Sequence, residues 1–196
     1  MMERRSLRHG ALMVALAVSV VAQASATTLV RAGLAELATG NSTIVVGKVL
    51  DTRSYWNEGG TFILTDVRVA VHEVLKGQVT GDELTLTIMG GTVGDLTTLI
   101  VGGAELQPER SYVLFLGERK LPGVREKALT VSDHCQGAFD LVPAGEGLRA
   151  ISQANRHPLV PDPQGLSEPP GGAEGLALDS MIRSIRNLTR PGREVR

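Results

Sequence analysis

Residues 61–76 read TFILTDVRVAVHEVLK, and the alternation inside them decides the fold class. Val67, Val69 and Val71 fall on one face, while Asp66, Arg68, Ala70 and His72 fall on the other. Successive side chains leave an extended backbone in opposite directions, so a period of two marks a strand with one wet side. Val74 and Leu75 break this phase, which predicts a bulge near Glu73. Gly77 then permits a turn.

Working outward, Ile44-Val45-Val46-Gly47-Lys48-Val49-Leu50 is β-branched and apolar on both faces, as in a central strand buried from both sides. Gly47 within it predicts a bulge or a close backbone approach. Downstream, Leu84, Leu86 and Ile88 alternate with Glu83, Thr85 and Thr87, and Tyr112 to Leu116 is again apolar on both faces. Gly90 to Asp95 and Val101-Gly102-Gly103 punctuate a weaker strand over Leu96 to Val101. Leu129–Val131, Phe139–Val142 and Leu148–Ile151 complete an expectation of seven or eight short strands.

Two helices flank these strands. Gly33 to Ala38 reads as a short amphipathic helix, with Glu36 placed to bond back to a free amide near Gly33, and it ends near Gly40-Asn41. Leu178, Met181, Ile182, Ile185 and Leu188 form one apolar stripe over 178–188, with Arg183, Arg186 and Arg190 on the other side or at the carboxyl end. The stripe is expected to cover a barrel mouth or a sheet face. The organisation expected is a leader over 1–26, a β domain over 27–152, a Pro/Gly-rich linker or surface loop over 153–175, a packed helix over 176–190 and a tail over 191–196.

The start of the chain predicts location. Arg4, Arg5 and Arg8 precede the uncharged run Ala11 to Val21, and Ala24-Ser25-Ala26 supplies small residues for a cut before Thr27. That run is about 11 residues against the ~20 that span a bilayer, so a cleaved leader is expected rather than a membrane anchor. The product is expected in the periplasm or the medium, without stable membrane insertion and as a monomer. After the cut 17 basic residues face 20 acidic ones, which lacks the clustered positive charge that nucleic acid demands. The lone Cys135 cannot form an intramolecular disulfide, so stability must come from apolar burial.

Several pieces together resemble a family of uncharacterised secreted bacterial proteins, some of which occur alongside matrixin-like metalloproteases. They are Leu34-Ala35-Glu36-Leu37, Ile44 to Val49, Trp56, Thr65, Leu75-Lys76-Gly77, Gly90-Gly91 with Gly94, Tyr112 to Leu116 and Gln136-Gly137-Ala138-Phe139. A more distant resemblance is to the amino-terminal barrel of tissue inhibitors of metalloproteinases. It rests on the order of the Ile44 strand, the long strand ending at Lys76-Gly77 and the Tyr112 strand. This implies an OB-like antiparallel β-barrel. Those inhibitors hold the protease zinc through an amino-terminal cysteine, which a chain starting at Thr27 lacks, so that mechanism does not carry over.

Candidate chemistry is sparse. Cys135 is flanked by His134 and Asp133, but neighbours on an extended strand point to opposite faces, which misplaces the imidazole for a thiol dyad; His72 would have to arrive from the long strand. A small, half-buried structural cysteine at a strand edge is the competing account. His72, Asp133, His134 and Cys135 lack zinc-ligand spacing, so no metal or other cofactor is expected. Gly90 to Gly94 lacks the Gly-Lys-Ser/Thr ending of a phosphate loop and reads as a hairpin turn. Tyr55-Trp56-Asn57-Glu58-Gly59-Gly60 reads as a loop in which Trp56, with Tyr55 and Asn57, offers a flat contact to a peptide or sugar. The alternative is that Trp56 folds back as a plug at one barrel end. Pro161-Asp162-Pro163 reads as spacing rather than as a partner ligand.

The expectation is therefore a mainly β, OB-like antiparallel barrel with a short amino-terminal helix and a carboxyl-terminal amphipathic helix. It is expected to serve as an exported, non-catalytic binding or accessory protein whose partner is a protein or polysaccharide. Two alternatives stand beside this: an inhibitor or companion of an exported protease, and a hydrolase using Cys135.

Overall fold

The computed structural model describes residues 30–145, 147–156 and 171–190. The expected leader and Thr27 start, the Pro161-Asp162-Pro163 stretch and the tail lie outside the described residues.

The elements run α1 (Leu34–Gly40), β1 (Thr43–Trp56), β2 (Ile63–Lys76), β3 (Glu83–Met89), β4 (Gly91–Val93) and β5 (Leu96–Thr98). β6 (Ser111–Lys120), β7 (Lys127–Val131), β8 (Ala138–Ala144), β9 (Gly147–Ser152), β10 (Leu176–Ala177) and α2 (Leu178–Thr189) follow. Among the described residues the protein is mainly β, with two helices. Eight strands form one antiparallel sheet in the order β10-β9-β8-β6-β1-β2-β3, with β7 also on β6, while β4 and β5 form a separate hairpin.

The long strand behaves as its alternation requires. Val67 and Val69 are fully buried, Arg68 is exposed between them, and Val46 pairs with Glu73 while Gly47 pairs with Val71. His72 is thus the extra residue of a bulge beside Glu73. Gly47 also permits a close approach, because a Cβ there would lie 2.6 Å from Val69 Cγ1 and 2.7 Å from the Ala70 carbonyl oxygen. Lys76 closes the hairpin onto α1 by donating to the Ala38 and Thr39 carbonyls at 2.7 and 3.0 Å, where a cation suits the helix dipole. At the other end of α1 the Glu36 carboxylate accepts from Gly33 N–H at 2.8 Å, as the sequence predicts.

β1 and β6 are buried on both faces because they separate two apolar layers. Val45, Val49, Val67, Val69, Leu84, Leu86, Tyr112, Leu114 and Leu116 fill the inner layer. On the opposite face Ile44, Val46, Val113, Phe115 and Phe139 meet Leu37 of α1 and Met181 and Ile185 of α2. The α2 stripe therefore covers a sheet face, not a barrel mouth. Its two fully buried side chains contribute about 1.5–3 kcal/mol each before entropy losses.

β7 and β8 follow one another along the same edge of β6. They are separated at Phe115, whose N–H donates to Gly137 O at 2.8 Å and whose carbonyl accepts from Ser132 N–H at 3.0 Å. The intervening Ser132–Gly137 segment bulges out, which permits one broken strand to serve two parts of the sheet.

Several expectations need correction. The sheet is not closed into a barrel: β3 and β7 lie beside each other, but among the described residues no ladder hydrogen bonds join them. The strand expected over Leu96–Val101 stops at Thr98; beyond it Leu99 and Val101 turn outward to solvent. Gly91–Val93 is itself a strand, so the hairpin turn sits at Gly94-Asp95. Tyr55 and Trp56 are not loop residues; they pair with Leu64 and Ile63 at the end of β1. Leu176–Ala177 adds a short strand to β9 before α2 starts. Gln153–Arg156 forms a 3-10 turn whose Gln153 exchanges hydrogen bonds with the Glu105 backbone at 2.9 and 2.8 Å.

Candidate functional site

One end of the sheet gathers most of the chemistry. The β1–β2 turn is organised by Asn57, which is only 5% exposed. Its Oδ1 accepts from the backbone N–H of Thr61 at 2.9 Å and of Phe62 at 3.2 Å, and its Nδ2 donates to Pro122 O at 3.3 Å. The last bond fastens this turn to the β6–β7 hairpin, and Arg125 Nε to Glu58 Oε2 at 2.8 Å adds an exposed ion pair across the same junction. Asn57 thus faces the protein rather than solvent.

Trp56 sits beside that turn and is 39% exposed. It presents part of its ring at the surface, which disfavours the plug arrangement. Tyr55 lies on the neighbouring face, where its hydroxyl donates to Asp66 Oδ1 at 3.0 Å and Thr87 Oγ1 donates to the same oxygen at 2.7 Å. Burial, followed by the Asp66 carboxylate, pushes the Tyr55 hydroxyl pKa up. The three residues expected to form one contact surface therefore diverge: Trp56 outward, Tyr55 into a polar network, Asn57 inward.

Next to this end, two adjoining clefts open along the seam where the sheet fails to close. The first, about 450 Å³, is lined by Ile88 and Met89 of β3, by Ile100, Gly103 and Ala104, by Arg119 to Pro122, and by Thr130, Val131, Asp133 and His134. The second, about 810 Å³, shares Ile88, Met89, Ile100, Gly103 and Ala104, and adds the hydroxyl-bearing Thr52, Ser54, Thr65, Thr92 and Thr98. Ser54 and Thr65 hydroxyls lie 2.8 Å apart, and Thr65 donates onward to Gly90 O at 2.7 Å.

The wall formed by 99–103 is held by an unexpected partner. Cys135 N–H donates to Gly102 O at 2.9 Å, and Gly103 N–H donates to Ile100 O at 2.9 Å, so the turn and the bulge are joined. Ile100 faces inward between two outward neighbours, Leu99 at 86% and Val101 at 93% exposure. The opposite wall carries backbone strain: Asp133 and His134 have φ of 50° and 61°, a left-handed region that costs non-glycine residues free energy and often marks functional positions.

Cys135 corrects the expectation of a half-buried cysteine on a strand edge. It is fully buried within the bulge, and the two residues before it, Asp133 and His134, are in left-handed rather than extended conformation. Desolvation pushes the thiol pKa up, which keeps the sulfur protonated and weakly nucleophilic at neutral pH. His72 is exposed on the β2 bulge. Among the described residues no three His, Cys, Asp or Glu side chains converge as metal ligands, and no helix is long and apolar enough to cross a membrane.

Sequence reasoning quoted Gln136 within Gln136-Gly137-Ala138-Phe139 but gave it no role; it accepts from Ala32 N–H at 2.7 Å and donates to Val30 O at 2.9 Å, tying the chain before α1 to the bulge. Sequence reasoning missed Ser132, whose hydroxyl donates to buried Asn41 Oδ1. The only available signal was Gly137: a Cβ there would meet both Phe115 O and Ser132 O at 2.8 Å. Comparison with protein-family models, curated proteins and solved structures found no match to this chain.

Proposed function

We propose that this chain is an exported, non-catalytic binding module of OB-like character, whose partner is a protein. The strand sequence β1-β2-β3-β7-β6 supports the OB-like reading, with β3 and β7 running in the same sense and the seam between them open. OB-like barrels are partly open, and they bind through the first hairpin loop and the hairpin of the last two strands. Here those two loops correspond to Asn57–Phe62 and Leu121–Glu126, joined through Asn57 and Pro122.

The observation that carries the choice of partner is the outward projection of Leu99 and Val101, together with the partly exposed Trp56. Bare aliphatic side chains gain by contacting other apolar groups, whereas a sugar is held by aromatic faces and hydrogen bonds. A protein surface accounts for both kinds of residue. The test is affinity capture from the exported fraction, run in parallel with the native chain, Trp56→Ala and the double variant Leu99→Ser/Val101→Ser. A partner held by the native chain and lost by the double variant supports the assignment. Equal recovery by all three, or capture of polysaccharide alone, refutes it.

A further inference from the structure

We propose that the outer edge of β5 is a strand-addition site, taking an extended, uncharged segment of a protein partner whose alternate aliphatic side chains enter the 810 Å³ cleft. The assignment rests on the reading of Leu99 and Val101 as a protein contact and names the form in which the partner meets them.

The edge follows from the hairpin register. Gly94, at φ 60°, begins a two-residue turn, and Val93 faces Leu96, Thr92 faces Thr97 and Gly91 faces Thr98. With such a turn the Val93/Leu96 and Gly91/Thr98 pairs exchange the ladder bonds, so Thr97 N–H and C=O point away from β4. The Thr92 and Thr97 hydroxyls, 2.9 Å apart, make the close side-chain approach of a pair without ladder bonds. β4 is the strand fixed to the body of the protein: Thr92 N–H donates to Ser54 Oγ at 3.3 Å, and Gly90 N–H just before it donates to Ile63 O at 2.9 Å. β5 pairs with β4 alone, and among the described residues no backbone hydrogen bond joins Thr97 or Leu99 to anything beyond the hairpin.

What lies along this edge suits another strand. Native sheet edges are guarded by charge or proline, among other devices. From Leu96 to Ala104 the chain has neither, and Leu96 is 60% exposed in the same stretch as the outward Leu99 and Val101. Thr98 lines the cleft, so residues of an added strand that share its face point there, while the intervening ones stand beside Thr97. Ile88, Met89, Ile100 and Leu106 give the cleft an aliphatic lining, and its only ionisable side chain, Glu105, already meets Arg156 at 3.3 Å. The Ser54 and Thr65 hydroxyls are likewise engaged, by Thr92 N–H and Gly90 O. An occupant therefore gains from backbone pairing and apolar burial rather than from charge.

The test is an amide-resolved NMR titration of the full chain with the acetylated, amidated peptide Ser-Val-Thr-Val-Thr-Val-Ser. The control is the same peptide N-methylated at its five internal residues, which keeps the side chains and removes the donors. The unmodified peptide is expected to shift the Thr97 and Leu99 amide signals and to slow Thr97 amide exchange at least tenfold, and the methylated one to do neither. Thr97→Pro removes the outward N–H without touching the bonds to β4 and is expected to weaken the peptide at least tenfold, whereas Thr97→Val keeps that N–H and the affinity. Unchanged amide signals of β1 and β2 verify folding of both variants. No change at millimolar peptide, equal effects of the two peptides, or undiminished binding by folded Thr97→Pro overturns the site. Self-association of the native chain that Thr97→Pro abolishes assigns the edge to a second copy and also overturns it. In the capture experiment, a partner kept by Thr97→Pro but lost by Leu99→Ser/Val101→Ser overturns strand addition and leaves the protein-contact reading standing. Peptide binding with no captured partner does the reverse.

Discussion

Asn57 stands in a polar, glycine-rich stretch and has the composition of a solvent-facing loop residue, yet it closes the β1–β2 turn from inside. Replacing it with alanine strips an acceptor from two backbone amides and a donor from Pro122 O. Asn57→Ala is therefore expected to lower stability by about 1–3 kcal/mol, measured by urea unfolding. A loss below ~0.5 kcal/mol would mean that water replaces those bonds freely. The fate of this side chain was illegible in the sequence because its partners, Thr61, Phe62 and Pro122, are specified by where two hairpins meet. Trp56 is similar: its residue type announces a large contact area, but only its position at the β1 end determines how much remains exposed. Cys135 repeats the lesson, since a local Asp-His-Cys run suggested an extended edge and the bulge at Phe115 instead folded it into left-handed turns.

At the level of elements, β2 is where pattern and structure agree most closely. Val69 is fully buried against the inner layer, whereas Arg68 is exposed and bonds Asp51 Oδ2 through Nε at 2.9 Å and Nη2 at 2.5 Å. Val69→Asp is expected to cost several kcal/mol, enough to unfold the domain, because the new carboxylate has no partner in that layer. Arg68→Ser should be much milder, since an exposed ion pair is heavily screened. Thermal melting of the two variants checks this, and equal losses would mean that the strand faces are reversed. Burial of one face imposes the period of two, so strands that border solvent were legible. The β4–β5 hairpin was not: its short strands carry no buried face, and apolar Leu99 to Val101 imitated a continuation of β5.

Across the whole molecule, stability depends on two apolar layers and on groups whose ionisation they resist. Burial pushes the Cys135 thiol and the Tyr112 hydroxyl up in pKa, in each case mainly by desolvation of the charged form. A raised folded-state pKa means that the unfolded chain releases its proton first as pH rises. The associated stability is complete below the ordinary thiol and phenol values of ~8.5 and ~10 and is lost as pH climbs through them. The melting temperature is therefore expected to fall above about pH 9, and Cys135→Ala should flatten the earlier part of that fall. An alkaline profile identical in the variant would assign the whole effect to tyrosine. The amino-acid sequence by itself determined the β class, the doubly buried strands β1 and β6, the bulge on β2, the capped first helix and the amphipathic last one. These follow from short-range periodicity and from turn and cap residues acting within a few positions. Only the tertiary structure decided that the sheet stays open between β3 and β7, that β7 and β8 share one edge of β6, that α2 lies on the outer face, and that Arg119, Asp133 and Ile100 line one cleft. Those outcomes depend on packing and hydrogen bonds between residues far apart in the chain, and no local pattern encodes which distant edges meet.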